Sequence, residues 1–468
     1  MPPKKRIGDD DASLNVKRRR KKNGEDMEFG NNSTLDADSD DENLDIKLEG
    51  SLVNGEVLFA GGTNWCMVGR SHLPKGVKNG GGHNLWGPHR IANLCGVRVR
   101  TVVSGCTACH CVVITAEGQV MTWGRNEKGQ LGHGNDIRKD IPTVVESLAN
   151  DVIIDAACGK NHTLFLTERG KVYACGDNKM SQLGIGHQSP CVPTPVRIHY
   201  KGPPVRKVAC GAEFSMIADI RGNLYSFGCP EHGQLGNNSD GKYFVTSNKL
   251  SFKCELVPKK LHVFIEKTRD GHVIPVTDVE IRDVCCGLNH TVALDSKKRV
   301  FTWGFGGYGR LGHSEPKDEF VPRHLKFFDG PNRGATQIFC GSTFCLAVNE
   351  LGSLYFWGQT KSTGEASMYP KLVQDLSGWR VRSVGCCNKS IVVAADESVV
   401  SWGPSPTYGE LGYGENKPHS STVPQEVKTL DGIYIHGIAC GYGHSLYLAR
   451  ADTEANRQKL ERLPVFSP

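Results

Sequence analysis

From residue 57 onward, short runs of alternating apolar and polar residues are separated by turn residues, and the stretch from His162 to Gly176 shows the unit most clearly. His162–Thr167 alternates, Glu168-Arg169-Gly170 supplies a turn, and Lys171–Gly176 is a second β-rich run. Period-two alternation around a tight turn predicts an antiparallel hairpin.

The hairpin recurs, framed by two half-motifs. The first reads WGRNEKGQLGHG from Trp123 to Gly134, and its leading glycine falls at Gly62, Gly124, Gly176, Gly228, Gly304, Gly358 and Gly403. The second reads ACGKNHTLFLT from Ala157 to Thr167, and its glycine position falls at Gly105, Gly159, Gly211, Gly287, Gly341, Cys387 and Gly441. From the second motif to the next first motif the interval is 19, 17, 17, 17, 17 and 16 residues. The return interval varies, at 43, 35, 35, 59, 37, 29 and 38 residues, so insertions sit on one side of each unit.

A period near 52 residues with several short strands per unit predicts an all-β, seven-bladed β-propeller. The chain enters with a first-type motif (Val57–Gly62) and leaves with a second-type one (Ala439–His444). The last hairpin is completed only if the C-terminal strand pairs with the N-terminal one, hiding two sheet edges. One propeller over about 51–450 is expected, followed by a charged segment, 451–468, with a short helix in Ala451–Leu463.

Composition changes little until the tail is separated. Glycine is about 12% of the chain against roughly 7% in average proteins, as a turn-rich fold requires. Residues 1–22 carry nine Lys/Arg and three Asp, whereas residues 23–50 carry one Lys and ten Asp/Glu. Almost no large apolar groups offset the ordering entropy there, so residues 1–50 are expected to be disordered. Within them Lys4-Lys5-Arg6 and, ten residues on, Lys17-Arg18-Arg19-Arg20-Lys21-Lys22 resemble a bipartite nuclear-import signal read by a carrier with acidic grooves. The same charges would attract chromatin or nucleic acid, and a merely solvated basic arm is the alternative. Ser39, just before Asp40-Asp41-Glu42, resembles an acid-directed phosphorylation site. The charged N-terminus and the absence of an 18-residue apolar run lead to the expectation of an intracellular protein without membrane insertion.

The repeat removes several leads to chemistry. Cys106-Thr107-Ala108-Cys109-His110 fits a haem-attachment spacing, but His110 aligns with His162, His290 and His444, and Phe214 and Phe344 stand at that position elsewhere, so a structural role is expected. Gly304–Gly309 has dinucleotide-binding spacing, yet it is the fifth first-type motif and no helix pattern follows. Cys158, Cys210, Cys286, Cys340, Cys386 and Cys440 share one repeat position and are expected to be reduced core thiols that do not pair with one another. No metal-ligand cluster and no nucleophile, base and orienter set is expected; neither is a cofactor.

Function on a propeller lives in what breaks the period, and the interval from Gly228 to Gly287 is 59 residues against a commonest value of 35. Within it, Lys267, Thr268, Arg269, Asp270, Gly271, His272, Val273 and Ile274 form a predicted hairpin around an Asp-Gly turn. With Lys253, Lys259 and Lys260 this reads as a basic, protruding finger, or as a hairpin that only caps a blade edge. Trp86, in the insertion Ser71–Leu94, would anchor a partner or plug the propeller's side.

The half-motifs resemble the repeats of the regulator of chromosome condensation family. Runs such as NLWGPHR (84–90), CGAEFSMI (210–217), WGFGGYGRLGH (303–313) and SWGPSPTYGELGYG (401–414) resemble one mitotic branch of it more closely. The resemblance implies a monomeric mitotic and cytoskeletal regulator that binds small GTPases of the Rac, Ral or Arf kind, centromeric chromatin and microtubules. It further implies a nuclear and nucleolar location in interphase, with chromosomes, centromeres and spindle midzone in mitosis. The founding propeller is a guanine-nucleotide exchange factor, so catalysed exchange is the alternative to a binding scaffold. The 267–274 hairpin is the candidate GTPase contact.

Overall fold

The computed structural model describes residues 46–361 and 365–468. Seven antiparallel sheets form a β-propeller. The inner strands of blades 1 to 6 are Val99–Val103, Ile153–Cys158, Val205–Cys210, Ile281–Cys286, Ala335–Cys340 and Val381–Cys386. Each is followed in chain order by three further strands. Blade 7 is composite: Ile435–Cys440 and His444–Ala449 come from the C-terminal part, Glu56–Gly62 and Asn84–Ile91 from the N-terminal part. Glu56 pairs with Ala449 and Gly61 with His444, an antiparallel clasp. Past the short helix Glu454–Leu460, Val465–Phe466 adds a parallel strand against Arg90 and Ile91, which the sequence pattern did not announce. Successive inner strands pack on one another around the ring, and the last packs on the first. Among the described residues no helix is long and apolar enough to cross a membrane.

The second strand of each of blades 1 to 7 is buried at every position, polar residues included. Alternation in sequence suggests one wet face, but blades stack face to face and leave neither face exposed. Polar groups on these strands therefore need partners, and the half-motifs supply them. In blade 1 the loop Gly129–Gly132 buries Leu131 completely, and Gln130 Oε1 accepts the Lys128 amide at 2.9 Å, holding the loop in shape. The Gln130 carbonyl is thereby aimed at blade 2, where it accepts Thr163 Oγ1 at 2.7 Å. The latch repeats: Gln182 accepts from Ser215 at 2.8 Å, Gln234 from Thr291 at 3.1 Å, Arg310 from Cys345 Sγ at 3.3 Å and Glu410 from Ser445 at 2.7 Å.

The recurring histidine completes the junctions of the four blades that carry it. His110 Nε2 meets Thr163 Oγ1 at 2.8 Å, and His162 Nε2 meets Ser215 Oγ at 2.9 Å. Burial pushes the imidazoles of His110, His162 and His444 down to about 3.

The second-type glycine is required by the ring three residues later. A Cβ at Gly159, Gly211, Gly287, Gly341 or Gly441 would overlap His162, Phe214, His290, Phe344 or His444. In blade 6 that aromatic is replaced by Ser390, and there alone Cys387 stands in place of glycine among the repeats. The first-type glycine is needed for its backbone: Gly176 has φ +114, and a Cβ there would lie 2.6 Å from His162 Cα. In blade 7 the equivalent residue is Gly61, with φ +130 opposite His444, not Gly62 as the motif spacing predicted. A Gly-Gly pair leaves that register ambiguous in sequence, and the irregularity between Phe59 and Gly61 decides it.

Candidate partner-binding site

The long interval from Gly228 to Gly287 builds two hairpins, one inside blade 3 ahead of its outer strand and one between blades 3 and 4. The first, Lys242–Thr246 paired with Lys249–Phe252, went unread in the sequence, although Tyr243-Phe244-Val245 and Leu250-Ser251-Phe252 flank a Ser247-Asn248 turn with β-rich residues. It stands as a separate two-stranded sheet, with Phe244 73% and Val245 52% exposed and Tyr243 and Leu250 nearly half exposed. Its base is tied by the Lys253 amide to the Gly241 carbonyl at 2.8 Å. The chain then supplies Glu255–Lys260 as the outer strand of blade 3. Leu261 and Phe264 plunge into the apolar core, Phe264 edge-on to Phe301 at 5.2 Å. Those two anchors fix where the second hairpin emerges.

The second hairpin is Ile265–Lys267 against Val273–Pro275, with Lys267 opposite Val273. Its turn closes as expected: the Thr268 amide donates to the His272 carbonyl at 2.9 Å, and Gly271 has φ +83 in open space. Ile265 pairs in parallel with Arg323, so the hairpin extends the outer edge of blade 4. It caps an edge at its base and protrudes at its tip, where Arg269 through Ile274 are exposed.

The expected basic character needs correction at Lys267. Its Nζ lies 2.6 and 2.7 Å from the two carboxylate oxygens of Glu319, a side chain only 5% exposed. Arg323 also reaches Glu319, at 2.8 Å, and Glu315, at 2.7 Å. The Arg323 guanidinium beside Glu315 holds that carboxyl down at about 2. Lys259 is paired with Glu255 at 3.1 Å, on the blade 3 strand rather than on this hairpin. The base of the finger is thus a closed ion-pair network, and Arg269 is the cation left at the tip. The import-signal residues Lys4–Arg6 and Lys17–Lys22, and Ser39, lie outside the described residues.

Elsewhere the leads resolve into structure. Cys106 and Cys109 are buried beside His110, which is engaged by Thr163. In the Gly304–Gly309 run, the Gly306 amide donates to Asp318 Oδ1 at 2.8 Å, a turn contact. Trp86 is half-buried and stacks on the exposed His419, ring centroids 3.5 Å apart. The seven inner strands enclose an axial cavity of about 320 Å³, in which Lys207 lies 3.3 Å from Asp283 and 3.9 Å from Asp155. Asp283 raises the Lys207 pKa and keeps the ammonium charged.

A seven-bladed ring with glycine-cornered hairpins and motif loops latched across each junction can be compared with known families, and the RCC1-like domain model matches residues 57–447. The chain belongs to the RCC1-like family. It is 59% identical over 425 residues to mouse protein RCC2, covering 90% of this chain and 82% of that one. The human protein RCC2 matches with the same identity and 81% of its length, and the zebrafish RCC2 homolog is 57% identical over 92% of this chain and 87% of its own. Among solved structures, yeast Prp20p superposes with a TM-score of 0.67 at 19% identity, covering 88% of this chain and 95% of that one. Human WBSCR16 does so with a TM-score of 0.66 at 21% identity, covering 85% and 100%. The family model and the RCC2 relatives support a role within the regulator of chromosome condensation family.

Proposed function

We propose that this chain is a mitotic and cytoskeletal regulator that works as a binding scaffold, with small GTPases of the Rac, Ral or Arf kind, centromeric chromatin and microtubules as partners. The observation that carries the reading is the long interval from Gly228 to Gly287, which raises an apolar tip (Tyr243, Phe244, Val245) from blade 3 and a tip with Arg269, Val273 and Ile274 between blades 3 and 4. Exposed aromatic and aliphatic groups on a supported hairpin are what a protein partner buries. The fold has a precedent in such use: Prp20p was described together with its binding to Gsp1p and histones, and yeast RCC1 (Prp20) was crystallised with Kap60. By the same analogy, Lys4–Arg6 and Lys17–Lys22 would engage an import carrier and add salt-sensitive affinity for acidic polymers.

Catalysed nucleotide exchange is the competing reading, and it requires only that the propeller bind a GTPase more tightly without nucleotide than with it. Release of labelled GDP from a panel of small GTPases, with the propeller substoichiometric, separates the two. Stoichiometric or slowed release is expected of a scaffold; multiple turnover would overturn it. Pull-down with Phe244→Ala and Arg269→Glu tests the surface, and both variants retaining full GTPase capture would remove it as the contact.

A further inference from the structure

The junction between blades 4 and 5 departs from its siblings at two positions, and the departures meet. The recurring histidine, here His290, faces not a hydroxyl but the thiol of Cys345, at 3.1 Å. Cys345 stands where blades 2, 3, 4 and 7 carry Thr163, Ser215, Thr291 and Ser445. Cys285, one residue before the repeated Cys286, stands where other blades carry Val103, Ala157, Ala209, Phe339, Gly385 and Ala439. Its Sγ lies 3.0 Å from Sγ of Cys340, the repeated cysteine of blade 5. The ligand atoms of His290, Cys340 and Cys345 all lie within 4.8 Å of one another. The blade 7–blade 1 junction serves as an internal control: His444 meets Cys111 at 3.1 Å, but Ser104 and Ala439 occupy the positions of Cys340 and Cys285.

We propose that this junction is a binding site for a zinc-class cation, with His290, Cys340 and Cys345 as ligands and Cys285, which touches Cys340 but stands outside that mutually close trio, turning in as the fourth. One imidazole and three sulfurs is a donor set of closed tetrahedral zinc sites, whose ligand atoms stand roughly 3.3–3.8 Å apart for metal distances of about 2.0 Å to nitrogen and 2.3 Å to sulfur. The Sγ–Sγ contact of 3.0 Å and the nitrogen–sulfur contact of 3.1 Å are shorter than that geometry by about 0.7 and 0.4 Å, so the four side chains spread apart as the ion enters. His290 and Cys345 are fully buried, while Cys285 and Cys340 border the axial cavity, which provides the entry path. The buried Arg310 guanidinium, fixed by Asn289 at 2.9 Å, offsets the surplus negative charge of three thiolates around a divalent ion. Binding releases the thiol protons to solvent and joins two blades that the repeat otherwise holds by hydrogen bonds alone. The expectation that no metal-ligating set survives the repeat alignment is thereby revised. Blade 4 supplies Cys285 and His290 and blade 5 supplies Cys340 and Cys345, so neither blade carries a complete ligand set and no local motif announces the site.

The test uses the full chain, purified under reducing conditions and titrated with Co2+ and then Zn2+. One equivalent of Co2+ with the visible bands of tetrahedral thiolate coordination, displaced by Zn2+, is expected, together with a higher melting temperature in Zn2+. His290→Phe, Cys345→Ser and Cys285→Ala copy residues that other blades carry, so folding is retained and is checked by melting without metal. The first two should weaken Co2+ binding at least 100-fold, whereas Cys111→Ser should leave it unchanged. Absence of stoichiometric Co2+ and Zn2+ uptake, equal uptake by His290→Phe and Cys345→Ser, or a Cys285–Cys340 disulfide mapped in unreduced protein would each overturn the site.

Discussion

The blade junctions and the hairpins inserted between Gly228 and Gly287 use the same β-rich residues and glycine turns, yet their glycines meet very different surroundings. At a junction, glycine is forced by an overlying ring, as at Gly211 beneath Phe214, and hydroxyls such as Thr163 and Ser215 are engaged by the motif loop of the preceding blade. On the insertion, Gly271 serves only its own turn and meets nothing within 4 Å. Stacking converts a local motif into a shared one; a hairpin on an edge answers only to itself.

Substituting both glycines is the strongest way to break that contrast. Gly211→Ala should cost about 3 kcal/mol or more, because the methyl overlaps a fully buried ring, whereas Gly271→Ala should cost about 1 kcal/mol for its left-handed backbone. Chemical denaturation measures both, and equal losses would refute the distinction. At the insertion's base, Lys267→Ala should cost about 1–2 kcal/mol by leaving the buried Glu319 to Arg323 alone, while Arg269→Ala at the tip should stay within about 0.5 kcal/mol.

Acid sharpens the same comparison. Burial pushes His110, His162 and His444 down to about 3 in the folded chain, against an ordinary value of 6.5. The unfolded chain therefore binds more protons between pH 6.5 and 3, and stability falls as pH drops through that window. Each such histidine contributes up to about 1.4 kcal/mol per pH unit, so His162→Phe, which copies Phe214, should flatten the melting temperature between pH 6.5 and 5. The smallest effect is expected for Phe244→Ala: no loss of melting temperature, and a change only in partner binding.

Much of the ring was legible because its reasons are local. The fixed spacing between half-motifs marks hairpins, and even the one missing glycine, Cys387, follows from Ser390 three residues on. The choice between Gly61 and Gly62 was not legible, since either satisfies the motif and only pairing with His444 selects one. At the candidate surface, the Asp-Gly turn at 270–271 announced its hairpin, but the Lys242–Phe252 hairpin turns at Ser247-Asn248, which carries no such specific signal.

The sequence by itself determined the number of blades, the place of their corners and the interval that breaks the period, because each follows from residues within one hairpin of another. Only the tertiary structure decided that Lys267 is spent on Glu319, 52 residues away, and that Cys285, His290, Cys340 and Cys345 converge across a junction. Such meetings depend on how one blade is set against the next, and side-chain reach over a few ångströms carries no signature along the chain.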